Sequence, residues 1–273
     1  MPHEVLNGSC LDLLPTIPDQ SVNAIITDPP YPEIDRPYGR WTEAEWHDLM
    51  DKVVSQCRRV LTPDGSAMFV IQPNFDKLGA MRLWVWEFLV RTAKQWNLIQ
   101  NVYWWNHTTP PTASCQRKHG LMRGSVKYCL WFGAADCYRD QGAVLWEPSD
   151  SMKAVSLEDR SLKYLPSGLS LRRGRVAQAA MERGGSTPFN LIPIGGHSDS
   201  GIHGHGAGTP IKLAEWWTKY ITRPGDTILD PFAGAGSIGV AAAQLGRNYI
   251  GIEKEAEYCR IARDRISSVG PAI

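Results

Sequence analysis

Residues 22–31 read VNAIITDPPY, and this stretch sets the organisation of the whole chain. Its first half is mostly apolar and predicts a short buried strand. The strand must stop at Asp28, because the prolines that follow have no N–H and restrict the residue before them. An acid, two rigid prolines and Tyr31 therefore stand at the carboxyl end of a strand, where open α/β sheets place their ligands. The alternative is a strand that simply ends in a Pro-Pro turn.

The composition is that of a folded protein with a substantial core. The 273 residues suffice for one large α/β domain or for one domain with an insertion. A hydrophobic content of 43% and a charged content of 21% exclude global disorder. No apolar run reaches the length of a membrane span and the N-terminus lacks a signal-peptide core, so we expect a cytoplasmic protein. The scattered cysteines form no C-x-x-C pair, which argues against a disulfide or zinc framework.

A second informative segment, ILDPFAGAGSIG, occupies residues 228–239. A strand ends at Asp230, a glycine turn follows, a helix is predicted to begin near Ser237, and Glu253 closes the next strand. The glycines match G-x-G-x-x-G at Gly234, Gly236 and Gly239. This combination predicts a Rossmann-like nucleotide site with the second acid on ribose hydroxyls.

Two ligands, NAD and S-adenosylmethionine, compete for that site. NAD would bring a pyrophosphate to the helix N-terminus. Asp230 is a poor neighbour for it, because like charges repel. S-adenosylmethionine has no phosphate, and its sulfonium, ammonium and ribose suit acids at Asp230 and Glu253. The sequence favours the methyl donor, while an NAD-dependent oxidoreductase remains an alternative that calorimetry with each ligand would separate.

The order of these motifs resembles the β-class DNA amino-methyltransferases, in which a DPPY-type motif precedes the methyl-donor loop in a circular permutation of the common order. The matching pieces are NGSCLDLLPTIPDQSVNAIITDPPY at 7–31, HGAGTPIKLAEWW at 205–217, DTILDPFAGAGSIGVAAAQLGRNYIGIE at 226–253 and EYCRIARDRI at 257–266. The resemblance implies an α/β fold: a Rossmann-like methyltransferase sheet with helices on both faces, circularly permuted, with an inserted target-recognition region.

The resemblance also assigns site residues by position. The catalytic motif would be Asp28, Pro29, Pro30 and Tyr31. Contacts to S-adenosylmethionine would come from Ser9, His205, Thr209, Asp230, Phe232, Ala233, Gly234, Gly236, Ser237 and Glu253. The chain departs from the family at two of these positions, since family members usually have Asp where Ser9 stands and Lys where Thr209 stands.

The implied reaction is methyl transfer to an exocyclic amine of a base that has been flipped out of the duplex. The Asp28 carboxylate and the Pro29 carbonyl would accept both amine hydrogens and free the nitrogen lone pair for in-line attack. Tyr31 would stack on the base. We expect adenine N6, because the first motif residue is usually Asp in the family's adenine enzymes and Ser in many cytosine-N4 enzymes. Cytosine N4 is the alternative target.

The middle of the chain differs in composition from both ends. Over 138–203 the periodicity fades and Gly, Ser, Pro and Arg increase, which predicts a target-recognition insertion in a catalytic domain formed by 1–137 and 204–273. The net charge is only +1, so double-stranded DNA must meet a local basic patch. The DNA-binding candidates are Arg172, Arg173, Arg175, Lys118 and Arg123. His197, His203 and His205 match no zinc pattern, so no metal site is predicted.

Further partners and a non-enzymatic function stay open at this stage. The resemblance leaves room for a homodimer and for a cognate restriction enzyme in a restriction-modification system. The departures at Ser9 and Thr209 also motivate a DNA-binding protein on a decayed methyltransferase scaffold, which methyl transfer by the purified protein would exclude.

Local patterns predict the elements around the two motifs. Thr42 and Glu45 make a capping box for a helix that ends near Leu61. We expect a turn at 62–65 (TPDG), a helix over 79–96, and a loop that enters a short helix or a turn over 7–14.

Overall fold

The computed structural model describes residues 3–35, 39–109, 120–156, 158–164, 170–196 and 208–269. The chain forms two compact units. The larger consists of residues 1–139 and 190–273, and the smaller of residues 140–189.

The larger unit is built on one eight-stranded sheet. Its strands are β1 (His3–Asn7), β2 (Val22–Thr27), β3 (Leu61–Ile71), β4 (Leu98–Trp105), β5 (Val126–Gly133), β8 (Leu191–Pro193), β9 (Thr227–Asp230) and β10 (Asn248–Glu253). They are ordered β1-β10-β9-β2-β3-β5-β4-β8. The first five in this order run parallel, and β5 joins them antiparallel to β3. The central parallel strands read as apolar runs because both of their faces are buried.

Helices cover both faces of this sheet, as the fold class predicts. One face carries α1 (Cys10–Leu13), α2 (Glu43–Val60) and α3 (Trp84–Ala93). The other carries the helices Ile211–Ile221, Ser237–Gln244 and Ala256–Ser267, which we call α6, α7 and α8. Large aromatic side chains anchor each layer, with Trp46 and Phe88 in the first and Trp217 in the second. Within the residues that the structure describes, no helix is long and apolar enough to cross a bilayer.

The neighbouring strands β2 and β9 form the topological switch point of the sheet. From β9 the chain passes through α7 to β10 on one side, whereas from β2 it passes through α2 to β3 on the other. A crevice therefore opens at the carboxyl ends of these two strands, as in other open α/β sheets. Because β2 precedes β9 in the chain, the order is the permuted one.

The local sequence signals predict the start of α2 correctly, but they predict the segment after it wrongly. The capping box is confirmed: the Thr42 hydroxyl accepts the Glu45 N–H at 3.3 Å, and the Thr42 N–H donates to the Glu45 carboxylate at 2.9 Å. The predicted turn at 62–65 is wrong, since these residues lie inside β3. They form an irregularity there, because pairing with β2 jumps from Leu61 to Ser66. This irregularity accommodates the proline and glycine that suggested a turn.

The helix expected over 79–96 is shorter than predicted, since α3 begins only at Trp84. Before it, Asp76 Oδ1 accepts the backbone N–H groups of Leu78 and Ala80, which closes a turn with Gly79 at φ +89°. Strand β1 was not predicted. Its five residues carry little pattern of their own, and pairing with β10 defines it.

In its described residues, the smaller unit contains a two-stranded antiparallel sheet, two α-helices and a short 3-10 helix at Gly142–Val144. Its elements are α4 (Asp150–Lys153), β6 (Leu162–Tyr164), β7 (Ser170–Arg172) and α5 (Arg173–Glu182). The Trp146 and Phe189 rings pack edge to face with centroids 5.2 Å apart. The insertion predicted over 138–203 is longer than this unit, because Leu191–Pro193 pairs with β4 in the large sheet.

Candidate active site

A cavity of about 400 Å³ lies in the larger unit, at the carboxyl ends of β1, β10, β9 and β2. Two segments far apart in the chain line it, the motif at 28–31 and the glycine turn after β9. Of the predicted residues, its wall contains Ser9, Asp28, Pro29, Pro30, Tyr31, Thr209, Asp230, Phe232, Ala233, Gly234, Ser237 and Glu253. The tertiary structure therefore brings the four predicted catalytic residues and eight of the ten predicted cofactor residues together around one space, Gly236 and His205 being the exceptions.

The glycine turn requires backbone conformations that favour glycine. Gly234 has φ +51° and Gly236 has φ +77°, both in the left-handed region. Gly236 caps the N-terminus of α7 and is absent from the cavity wall. A Cβ atom there would lie 2.8 Å from the Ala262 Cβ, so this glycine permits close packing of α7 on α8.

Asp230 is held inside the protein at the end of β9. Its Oδ1 accepts the Thr27 hydroxyl at 2.7 Å and the Phe232 N–H at 3.1 Å, and its Oδ2 lies 3.5 Å from the Tyr249 hydroxyl. Burial raises the pKa of this carboxyl to about 7; the nearby carboxylates of Asp28 and Glu253 add to the rise, and the hydrogen bonds from Thr27 and Phe232 oppose it. Asp230 thus shapes the turn as well as lining the cavity.

Glu253 ends β10 and supports the glycine turn from the neighbouring strand. One carboxylate oxygen accepts the Gly234 N–H at 2.8 Å and the other accepts the Glu255 N–H at 2.8 Å. Burial raises its pKa above the usual range. A carboxylate offers about four lone-pair positions, so capacity remains for hydroxyl donors of a ligand.

Ser9 lies on the same rim, at the start of α1. Its hydroxyl accepts the Leu11 N–H at 3.2 Å and caps that short helix. The cavity also contacts Trp41, Lys254 and Tyr258, none of which the sequence singled out.

The DPPY motif is anchored from α2 and from the segment before α3. The Trp46 indole N–H donates to the Pro30 carbonyl at 2.5 Å. The Asn74 amide donates to the Pro32 carbonyl at 2.7 Å and accepts the Trp84 indole N–H at 3.0 Å. The buried Trp46 and the half-buried Asn74 thus hold the backbone at the end of the motif and just after it.

The Asp28 carboxylate has partners on both oxygens. The Tyr31 hydroxyl donates to Oδ1 at 2.8 Å, and the Thr209 hydroxyl donates to Oδ2 at 2.9 Å. The Lys127 ammonium lies 3.5 Å from Oδ2. The Tyr31 ring also packs on Trp84, with ring centroids 5.7 Å apart. In this structure Thr209 therefore contacts the DPPY motif directly.

Lys127 is a candidate site residue that sequence reasoning missed. It lies four residues after Arg123, one of the DNA-binding candidates. The available signal was its place at the start of the mostly apolar segment 126–132. The direction of its side chain, however, follows from the sheet register, and the sequence does not show that register.

The remaining predicted residues lie elsewhere. His205 and Lys118 fall outside the described residues. Arg123 is exposed, and its guanidinium donates to the Thr109 carbonyl at 3.2 Å. In the smaller unit, Arg172, Arg173 and Arg175 are exposed around the junction of β7 and α5.

The chemistry of the cavity wall indicates the kind of ligand it suits. Asp28, Asp230 and Glu253 place three carboxylates on the wall. Such a wall suits a cationic ligand with hydroxyl groups and opposes a polyphosphate, because like charges repel in a partly desolvated space. The fold and this site define a Rossmann-like methyltransferase.

Comparison with known proteins places the chain in a particular family. A family model described as DNA methylase, the N6_N4_Mtase model, matches residues 22–264. The chain belongs to this family of N6/N4 DNA methyltransferases.

Individual relatives agree with that assignment. The type II methyltransferase M.PvuII of Proteus hauseri is 26% identical over 268 residues, which cover 92% of this chain and 80% of the relative. The solved PvuII DNA methyltransferase, described as cytosine-N4-specific, has a TM-score of 0.73 at 21% identity, with 99% of this chain and 89% of that chain covered. The M1.HpyAVI–SAM complex has a TM-score of 0.59 at 20% identity, with 97% and 98% covered.

Proposed function

We propose that this chain transfers a methyl group from S-adenosylmethionine to the N6 amine of an adenine flipped out of double-stranded DNA. The observation that carries the proposal is the shared cavity, which Asp28 and Pro29 line from one side and the glycine turn and Glu253 from the other. A target amine at Asp28 and a methyl donor at the turn would thus meet in one space.

The donor-binding residues fit S-adenosylmethionine better than NAD. Glu253 has the free lone-pair capacity to accept the ribose hydroxyls, and the acidic wall opposes a pyrophosphate. The neighbouring M1.HpyAVI structure, solved with SAM, supports this choice. When bound, S-adenosylmethionine supplies an electrophilic methyl group.

The chain's own residues act on the amine. The exocyclic nitrogen is a weak nucleophile, because its lone pair is conjugated with the base ring. The Asp28 carboxylate and the Pro29 carbonyl accept its two hydrogens, which favours a pyramidal nitrogen and frees the lone pair. Acceptors held in place before the reaction need no reorganisation during it. The Tyr31 ring stacks on the flipped base, a contact that contributes about 1–3 kcal/mol.

Adenine is favoured over cytosine by the identity of the first motif residue, Asp28. Cytosine N4 is the second candidate, because the PvuII enzyme, a structural neighbour, is described as cytosine-N4-specific. Both bases present an exocyclic amine beside a ring nitrogen, so the same acceptors serve either.

We also propose that residues 138–203 recognise the target sequence. The compact unit within this range exposes Arg172, Arg173 and Arg175. Arginine side chains suit both phosphate contacts and base edges in the major groove.

A direct experiment tests the function. Purified protein is incubated with S-adenosylmethionine carrying a labelled methyl group and with mixed-sequence duplex DNA, which is then digested to nucleosides for mass spectrometry. We expect labelled N6-methyladenine. Labelled N4-methylcytosine alone would assign the second candidate, and no labelled nucleoside across diverse duplexes would refute methyl transfer to DNA.

A further inference from the structure

The Asp28 carboxylate lies in a ring of donors that comes from three separate parts of the larger unit. Tyr31 contacts Oδ1, whereas Thr209 and Lys127 both face Oδ2, at 2.9 Å and 3.5 Å. Two of the contacts to this acceptor, those of Thr209 and Lys127, therefore come from outside the DPPY motif.

Lys127 is held in place by the sheet and by two aromatic rings. It lies on β5 directly opposite Trp104 of β4. Its ammonium lies 5.1 Å from the centroid of the Trp104 ring and 5.4 Å from that of Tyr31, distances typical of cation–π contacts. Only 17% of the Lys127 side chain and 16% of the Asp28 side chain are exposed. This environment differs from that of a lysine on a solvated phosphate-binding surface.

We infer that Lys127 is a positioning residue, which together with Thr209 orients the Asp28 carboxylate to accept the target amine. The inference rests on the proposed function. A carboxylate with two donors on Oδ2 and one on Oδ1 cannot rotate freely, yet it retains lone-pair capacity for the amine hydrogen. An acceptor that is already aligned lowers the barrier more than a mobile one.

Lys127 also links two groups of the proposed site, the Asp28 carboxylate and the Tyr31 ring. Lys127 contacts the Tyr31 ring while it faces Asp28, so the acceptor and the stacking ring are fixed relative to each other. Loss of the charge loosens both groups and leaves the donor-binding turn on β9 untouched.

The test compares Lys127→Met, Lys127→Arg and Thr209→Val with wild type. Methionine keeps the length and apolar stem without the charge, and arginine keeps the charge. Lys52→Met, at an exposed position of α2, is the matched control for removing a lysine. Each variant is measured for single-turnover methyl transfer at saturating DNA and donor, for donor affinity by calorimetry, for the salt dependence of DNA binding, and for thermal melting.

We expect Lys127→Met to lower the single-turnover rate constant at least tenfold, with donor affinity and DNA affinity within twofold of wild type. Lys127→Arg should recover most of the rate, Thr209→Val should show the same pattern to a smaller degree, and Lys52→Met should match wild type. If Lys127→Met fails to fold, Lys127→Gln, which also removes the charge, is measured in its place and should show the same loss of rate with unchanged donor and DNA affinity.

Two results would overturn the inference. The first is an unchanged rate constant in Lys127→Met with weaker DNA binding and a smaller salt slope, which would make Lys127 a phosphate contact. The second is an equal loss in Lys127→Met and Lys127→Arg together with lower melting temperatures, which would make it structural. In both cases the wild-type protein still methylates DNA, so the proposed function stands. A wild-type protein that transfers no methyl group would instead refute the proposed function, and this inference with it.

Discussion

The Thr27 hydroxyl donates a 2.7 Å hydrogen bond to Oδ1 of Asp230, and this buried contact ties the end of β2 to the end of β9. The two strands are neighbours in the sheet, and each leads directly into one half of the cavity wall. The DPPY motif and the glycine turn are therefore held at a fixed distance from each other. A reaction between two bound molecules requires such fixed positions.

The burial of the Asp230 carboxyl predicts a pH dependence of stability. Burial raises the Asp230 pKa from 3.8 to about 7, so the folded state binds more protons than the unfolded state between these values. Stability must then fall as pH rises through about 7, by about 1 kcal/mol between pH 6 and pH 8 from this group. Asp230→Asn should remove this component. Chemical denaturation of wild type and Asp230→Asn at pH 6 and pH 8 measures this difference in the free energy of unfolding. Equal pH dependences of the two proteins would contradict the prediction.

Asp28→Ala should remove most of the methyl-transfer activity while leaving the fold and donor binding intact. The carboxylate lines the cavity and is the proposed acceptor of a target-amine hydrogen, so its loss should lower the rate about 10²–10³-fold, the usual cost of removing one preorganised hydrogen-bonding group. Single-turnover assays measure the rate, calorimetry with the donor measures donor binding, and thermal melts measure the stability of the fold. A collapsed melt would instead assign Asp28 a structural role.

Glu253→Gln should weaken donor binding about tenfold. The substitution keeps the size of the side chain but removes the charge that strengthens hydrogen bonds to ribose hydroxyls. Calorimetry with S-adenosylmethionine measures the change, and Glu257→Gln on the exposed face of α8 is the matched control. Equal affinity in wild type and Glu253→Gln would place the ribose elsewhere.

Gly236→Val should destabilise the protein by at least about 2 kcal/mol as well as weaken donor binding. The backbone is left-handed at this position, which costs a residue with a side chain about 1–2 kcal/mol. The new Cβ would also lie 2.8 Å from the Ala262 Cβ and force α7 away from α8. Denaturant unfolding measures the loss. A variant as stable as wild type would show that the turn tolerates other conformations.

Arg172→Ala with Arg173→Ala should weaken DNA binding and flatten its salt dependence. Each lost phosphate contact should reduce the slope of log affinity against log salt by about 0.9, or about 1.8 for both. Arg58→Ala with Lys94→Ala removes the same charge from exposed positions near the ends of α2 and α3 and is the control. An identical slope in wild type and the Arg172/Arg173 variant would mean that these arginines face solvent.

Much of the architecture was predictable from sequence, because its signals are local. The proline pair ends β2, the Thr42–Glu45 box starts α2, and the glycines of 234–236 mark the turn after β9. Each depends on backbone geometry within a few residues. Predictions failed where distant pairing outweighed local signals: β1 exists through its pairing with β10, and the Pro and Gly at 62–65 lie within a strand.

The sequence by itself determined the class of fold, the two motifs and the residue types of the site, since these depend on the order of short patterns along the chain. Only the tertiary structure decided which side chains meet. Thr27 reaches Asp230, 203 positions away, and Thr209 reaches Asp28, 181 positions away, because parallel pairing and helix packing bring strand ends and helix starts to one edge. Lys127 faces the same carboxylate because the β4–β5 register sets its direction. Register is a property of paired strands, and a single strand does not encode it.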